Sequence, residues 1–209
     1  MWYNSLIIGY PNPASSTLVK ARINRFSENH NILFANFHNS IVGIGGVGTV
    51  TRSTQKLIPK LHMVCYDPSL KHATAYEQAT VYPVSLNNRT ITNFQIKFAK
   101  QYLWPLLHDL PAHLSKKQIA TVRKSYSLAS QVFAEKICKV TVNNTNPWIY
   151  WINDYSLAGV VGFVRTLKPD ARICFSLRSP FGHHDYPRFF SEDTEFLIKS
   201  CSISICSLK

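Results

Sequence analysis

Between Asn146 and Phe181 the chain carries the pattern of one strand, one helix and a second strand, and this unit most constrains what the chain can fold into. Trp148-Ile149-Tyr150-Trp151-Ile152 is an almost continuous aromatic and β-branched run, suited to a strand buried on both faces of a parallel sheet. Leu157, Val160, Val161, Val164 and Leu167 recur at the helical period and predict one apolar helix face, stopped at Lys168-Pro169. Ala171 to Leu177 is a second apolar run. In such a βαβ unit Asn153-Asp154-Tyr155 and Arg178-Ser179-Pro180 fall at the carboxyl ends of two parallel strands, the edge at which open α/β sheets bind ligands. Asp154 and Arg178 are therefore candidate site residues by position. The same two charges also fit a plainer arrangement, with Asp154 capping the following helix and Arg178 paired with it at the rim.

The rest of the chain continues the alternation. Ser5–Tyr10, Ile32–Phe37, Leu61–Tyr66 and Val81–Leu86 read as strands, with Pro83 arguing for an edge position in the last of them. Asn87-Asn88 reads as a turn, and Phe94, Phe98, Leu103, Leu106 and Leu107 predict a helix from Thr92 to about His108. Ser115-Lys116-Lys117-Gln118 has the form of a capping box that opens a long helix with Ile119, Val122, Tyr126, Ala129, Phe133 and Ile137 on its inner face. Ser191 caps a further helix, and Ser202–Leu208 closes the chain as a strand. Gly43–Gly48 is a glycine-rich turn able to bring backbone N–H groups close to a phosphate, although its spacing fits neither a P-loop nor a dinucleotide fingerprint and an ordinary tight turn explains it as well. Together these elements predict a three-layer α/β sandwich with a mainly parallel sheet, formed as one domain over residues 1–209.

Charge widens the choice of partner. With 23 Lys+Arg against 11 Asp+Glu, a net +12, the chain favours an anionic ligand or surface. The basic residues are scattered, however. The densest patch, Lys116-Lys117 with Arg123-Lys124, lies on the polar side of a predicted helix, where it reads as a solvated face, so a nucleic-acid partner is not expected. Five cysteines form no CxxC pair and sit in apolar patterns as small core residues. No leader-like or membrane-spanning stretch is seen, so the expectation is a cytoplasmic compartment and no membrane contact. Gly182-His183-His184-Asp185 lacks a second ligand cluster and reads as a loop, so neither a metal nor a cofactor is expected.

Several segments together resemble the trehalose-6-phosphate synthases, retaining glycosyltransferases of the GT-B fold. Leu103-Trp104-Pro105-Leu106-Leu107-His108 is similar to their Leu-Trp-Pro-Leu-Phe-His motif. Trp151-Ile152-Asn153-Asp154-Tyr155-Ser156-Leu157 resembles their Trp-x-His-Asp-Tyr-His-Leu strand end, and Phe175-Ser176-Leu177-Arg178-Ser179-Pro180-Phe181 their Phe-x-Leu-His-x-Pro-Phe. The Gly45-Gly46 turn falls where the family places its Gly-Gly loop. The agreement runs over roughly residues 43–209, with residues 1–42 matching only as strand and loop. The resemblance implies the Rossmann-like, acceptor-binding half of a GT-B enzyme that transfers glucose from a nucleotide sugar to glucose 6-phosphate. It further implies that Trp104 lines the acceptor-sugar pocket, Asp154 binds acceptor hydroxyls and Gly45-Gly46 approaches the donor phosphates.

Departures fall on functional positions. Arg178 stands where the family has a histidine that contacts the transferred sugar, Gln95 where it has a tyrosine near the acceptor phosphate, and Ile96 and Asn153 where it has Asn and His. No counterpart of its first-strand Asn-Arg is found in Ile7–Pro11. The donor-side half has no counterpart in the sequence, so the expected activity is that of a diverged or truncated acceptor-side domain, inactive alone and dependent on a donor domain or synthase subunit. The alternative is a non-catalytic sugar-phosphate-binding or regulatory subunit. Either predicts an exposed apolar patch near Trp104 that invites association.

Overall fold

A computed structural model of the chain describes residues 28–39, 41, 52, 56, 58, 60–76, 79–108, 110–142, 146–177 and the backbone of 203–206. Seven strands form one sheet in the order β3-β4-β2-β1-β5-β6-β7. They are β1 (Asn31–His38), β2 (Leu61–Tyr66), β3 (Thr74–Tyr76), β4 (Ala79–Val84), β5 (Trp148–Asn153), β6 (Arg172–Leu177) and β7 (Ile203–Cys206). Every pairing is parallel except that of β3 with β4. The sheet is thus the Rossmann-like, mainly parallel α/β type expected. The predicted strand at Ser5–Tyr10, the helix at Ser191, the Gly43–Gly48 turn and the His183-His184 loop lie outside the described residues.

Strand order fixes where a ligand site belongs. After β1 the chain moves outward to β2 and β4, then returns across the sheet to place β5 on the other side of β1. The direction of winding therefore reverses between β1 and β5, and at such a switch point the flanking connections leave the sheet in opposite senses and open a crevice beyond the strand carboxyl ends.

Helices α1 (Asn88–Ile91) and α2 (Trp104–Leu107) flank a π-helix, Thr92–Leu103, and the three follow one another without a break in right-handed backbone. Asn87, read from sequence as a turn, is the N-cap of this run, its side chain accepting a bond from the Thr90 N–H at 2.8 Å. The long helix α3 (Lys116–Val140) opens with the expected capping box between Ser115 and Gln118. Helix α4 (Ala158–Leu167) follows β5 through a short 3₁₀ turn, Tyr155–Leu157.

The sheet separates two apolar layers. On one face Leu33, Ala35, Phe37, Tyr150, Ile152, Ile173 and Phe175 pack with Phe133 and Ile137 of α3 and Val160, Val161 and Val164 of α4. On the other face Ile32, Phe34, Leu61, Met63, Cys65 and Val81 gather with Ile58. Alternating side-chain direction along each strand produces this division. Cys65 is fully buried, and its burial, with Asp67 nearby, pushes its thiol well above the ordinary range, so it is an inert core group.

Two sequence expectations are corrected. Pro83 is not on an edge strand, because β4 pairs with both β2 and β3. The proline is tolerated because β3 is only three residues long and its pairing stops at Val81, so on that side no strand lies against Pro83, which pairs only with Cys65 of β2. Leu167, placed on the inner face of α4, is 49% exposed because it is the last helical residue, where the backbone turns away at Lys168.

Gly159 is required where α4 crosses α3. A Cβ there would lie 2.8 Å from Ser130 Oγ and 3.0 Å from the Tyr126 ring, and the Gly159 N–H donates to Tyr126 Oη at 2.6 Å. Gly159→Ala should therefore lower stability in urea unfolding by about 1–3 kcal/mol. Because Ser130 Oγ is buried without a hydrogen-bond partner, Ser130→Ala should recover part of that loss in the double variant. A Gly159→Ala midpoint equal to the parent would contradict this packing.

Candidate active site at the strand carboxyl ends

At the switch point three strands are tied by a line of buried side-chain hydrogen bonds. Asn153 Nδ2 at the end of β5 donates to Asn36 Oδ1 of β1 at 3.0 Å, and Ser176 Oγ of β6 donates to Asn153 Oδ1 at 2.8 Å. Trp151 Nε1 then donates to Ser176 Oγ at 2.8 Å, while Asn36 Nδ2 is held by the His38 carbonyl at 2.9 Å. Asn36, Asn153 and Ser176 are 4%, 1% and 5% exposed. Polar groups buried so fully are retained only when satisfied, and each bond here satisfies two of them.

This line positions Asp154. Its N–H donates to the Ser176 carbonyl at 2.7 Å, and its backbone is held at φ 71°, ψ 160°. That conformation is open to glycine and costs a side-chain-bearing residue about 1–3 kcal/mol. Asp154 occupies the N-cap position of the 3₁₀ turn but makes no side-chain capping bond, so helix capping does not explain the carboxylate. Tyr155, directly after it, is pushed up to about 12 by burial and then by the Asp154 carboxylate, and stays a neutral phenol at physiological pH.

The neighbouring strand ends add polar and cationic groups. Beyond β1, Asn39 Nδ2 donates to Asp67 Oδ2 at 2.7 Å, and Ser69 donates to Asp67 Oδ1 from its N–H at 2.9 Å and its Oγ at 2.6 Å. Desolvation alone would raise the Asp67 pKa, but the bonds from Ser69 and Asn39 hold it below the ordinary value. Asp67 is thus a fixed anchor between the β1 and β2 ends. His38 ends β1 with its pKa lowered by burial and then by the Lys100 ammonium, which brings the π-helix to the same edge.

The π-helix also carries Gln95, 7% exposed, whose Oε1 is buried with no hydrogen-bond partner. It packs against the 155–157 turn, where Tyr155 joins Phe98 and Tyr102. The fold thus brings the segment of Gln95 against the segment that follows Asp154. Trp104 sits nine residues further along the run, 42% exposed and stacked on His108 at 4.2 Å, with His108 Nδ1 donating to the Trp104 carbonyl at 2.7 Å. Leu110, 48% exposed, turns back to bond the Pro105 carbonyl at 2.9 Å. Arg178, Gly45 and Gly46 lie outside the described residues. Among the described residues no group of His, Cys, Asp and Glu is arranged to hold a metal ion, and no helix is long and apolar enough to cross a membrane.

Asn36, Ser176 and Lys100 were missed by the sequence reading. Asn36 did leave a signal, as the one strongly polar residue inside the apolar run Ile32–Phe37.

The sequence model of glycosyltransferase family 20 matches residues 27–209. The chain belongs to glycosyltransferase family 20. The family 20 match begins at residue 27, which makes β1, and not Ile7–Pro11, the first strand of the matched region. Among curated relatives, the glucosylglycerol-phosphate synthase of Synechocystis is 29% identical over 105 residues, 50% of this chain and 20% of that protein. The trehalose synthase complex regulatory subunit of Saccharomyces cerevisiae is 28% identical over 162 residues, 77% of this chain and 14% of that protein. The trehalose-phosphate synthase of Burkholderia xenovorans, solved in complex with glucose-6-phosphate, superposes with a TM-score of 0.67 at 16% identity, covering 84% of this chain and 39% of that one. The Escherichia coli protein bound with UDP-2-fluoro glucose gives 0.64 at 16% identity, over 83% and 39%. Family 20 thus accounts for the Rossmann-like fold, while the chain spans well under half the length of these relatives.

Two outcomes follow from the site geometry. Asp154→Gly should relieve the backbone and raise stability by about 1 kcal/mol net of glycine's extra unfolded-state entropy, whereas Asp154→Ala keeps the strained backbone and gains nothing. Equal urea midpoints for the two variants would count against it. Since the folded-state pKa of His38 lies below 6.5, the folded chain binds this proton less well than the unfolded chain, and stability declines as pH falls below that value. Lys100→Gln should move the His38 imidazole titration, followed by NMR, to higher pH, and an unmoved titration would show that Lys100 does not act on it.

Proposed function

We propose that this chain is the acceptor-side domain of a trehalose-6-phosphate-synthase-like glycosyltransferase, one Rossmann-like unit that holds a sugar phosphate at the carboxyl ends of β1 and β5. The observation that carries the reading is Asp154, a carboxylate on a strained backbone at the switch point of the sheet. Strain of this kind is retained where it aims a side chain at a ligand. In this reading the Asp154 carboxylate accepts bonds from acceptor hydroxyls, the Gln95 amide oxygen accepts another, and the exposed Trp104 indole covers an apolar sugar face. Glucose 6-phosphate is the acceptor favoured by the solved neighbour, and UDP-glucose the donor class. Transfer would form a bond from an acceptor oxygen to the anomeric carbon as the bond from that carbon to the nucleotide phosphate breaks. Gly45-Gly46 and Arg178 are the groups proposed to face the donor phosphates and the leaving anion.

The chain's own residues argue for weak chemistry without help from a donor domain or a synthase subunit. Loss of one positioned transition-state donor typically costs about a hundredfold to a thousandfold in rate. Here Arg178, Gln95 and Asn153 replace three family side chains, and Asn153 is wholly engaged in bonds to Asn36 and Ser176. A second reading is a non-catalytic regulatory subunit that senses a sugar phosphate and docks on an active synthase. It is favoured by the match to the yeast regulatory subunit over 77% of the chain and by the exposed side chains of Trp104 and Leu110.

Calorimetric titration with glucose 6-phosphate separates these ideas from their failure. Binding that Asp154→Ala weakens by tenfold or more is expected, together with negligible transfer from UDP-glucose by the chain alone. Robust turnover by the chain alone would overturn the diverged reading. Absence of binding, or binding indifferent to Asp154, would overturn the acceptor-side assignment.

A further inference from the structure

A groove lies away from the strand ends, on the outer side of the helices. It holds about 400 Å³ between the start of the π-helix run and α3, and is lined by Asn88, Arg89, Thr92, Asn93, Lys97 and Thr121. All six are polar or cationic, and none is acidic. Arg89, Asn93 and Lys97 repeat at four-residue spacing along one side of the run, so they line one wall, and Thr121 of α3 stands on the other. Asn93 Nδ2 donates to Ser125 Oγ at 3.3 Å and ties the two walls together.

Charge makes the groove selective. From residue 79 to residue 134 the chain has seven cations, Arg89, Lys97, Lys100, Lys116, Lys117, Arg123 and Lys124, and a single acid, Asp109. Among the described residues, no ion pair or side-chain hydrogen bond engages Arg89 or Lys97, so both cationic heads remain available. Lys117 and Lys124 are exposed on α3 one turn to either side of Thr121. A solvated basic face alone would not need walls, but here the cations stand over a cavity of small-molecule size. A planar guanidinium with five donors, a lysine point charge and adjacent Asn amide donors form the set that binds phosphate oxygens.

We propose that this groove is a separate binding site for a small phosphorylated ligand, independent of the acceptor-side reading given above. The phosphate would sit between Arg89 and Lys97, with the Asn88 and Asn93 side chains donating to its remaining oxygens. The cavity is the size of a single small molecule and not of a docked peptide helix, which favours a metabolite-sized anion over an acidic protein segment.

Inorganic pyrophosphate and glucose 6-phosphate serve as probes, titrated calorimetrically into the full chain. Pyrophosphate binding should weaken at least tenfold in Arg89→Gln/Lys97→Gln and weaken also with added salt, while Asp154→Ala leaves it unchanged. Thr121→Glu, an exposed change on the opposite wall, should abolish it as well. Glucose 6-phosphate binding that persists in Asp154→Ala and is lost in the Arg89/Lys97 variant would identify the ligand as a sugar phosphate, and pyrophosphate binding alone would identify free phosphates. The Arg89, Lys97 and Thr121 side chains are exposed, so circular dichroism of their variants should match the parent. The proposal is overturned if the double variant binds pyrophosphate like the parent. It is equally overturned if removing two exposed lysines elsewhere, Lys71→Gln/Lys139→Gln, weakens binding as much, or if only an acidic peptide binds.

Discussion

The carboxyl-edge site depends on the amide of Asn153. Through its two ends it joins β1 to β6 across β5, with buried Asn36 on one side and buried Ser176 on the other. A satisfied bond of this kind contributes about 0.5–1.5 kcal/mol net, but removing one partner leaves a buried polar group and costs about 1–3 kcal/mol. The same β5–β6 contact fixes the Asp154 N–H on the Ser176 carbonyl and so holds the next backbone step at positive φ. The bond line and the strain are comparable in size and opposite in sign. One secures the strand ends, and the other aims a carboxylate beyond them.

How much of this could be read from the residues differs by element. The βαβ unit over Trp148–Leu177 was legible because buried parallel strands and an amphipathic helix leave periods that tertiary context does not alter. The α3 capping box was legible for a local reason, since its two bonds lie within one turn. The π-helix was not. Its buried residues Phe94, Gln95, Phe98, Ala99, Tyr102 and Leu103 recur in pairs every four positions, wider than the 3.6 period of an α-helix, and over twelve residues the two phases are hard to tell apart. Pro83 misled because edge position was inferred from one residue, when the length of its neighbour decided whether the missing N–H mattered. Likewise Asp154 could be placed at the sheet edge, but the sign of its φ is set by β6 and leaves no mark in sequence.

Membership of family 20 and the switch-point geometry meet at the same residues from different directions. The family match starts at β1, and the reversal of strand order singles out β1 and β5. The groups that hold the edge together, Asn36, Asn153 and Ser176, form a complete set of bonds. Arg89 and Lys97, over a groove whose lining holds no acid, add a second means of attracting anions.

The most direct test of a sugar-phosphate site at the switch point is an NMR map of amide shifts as glucose 6-phosphate is added to the isotope-labelled chain. The largest shifts should cluster at His38, Asn39, Asn153, Asp154 and Tyr155. Shifts confined to the opposite sheet edge around Trp148 and Arg172, or no shifts at saturating sugar phosphate, would contradict the account.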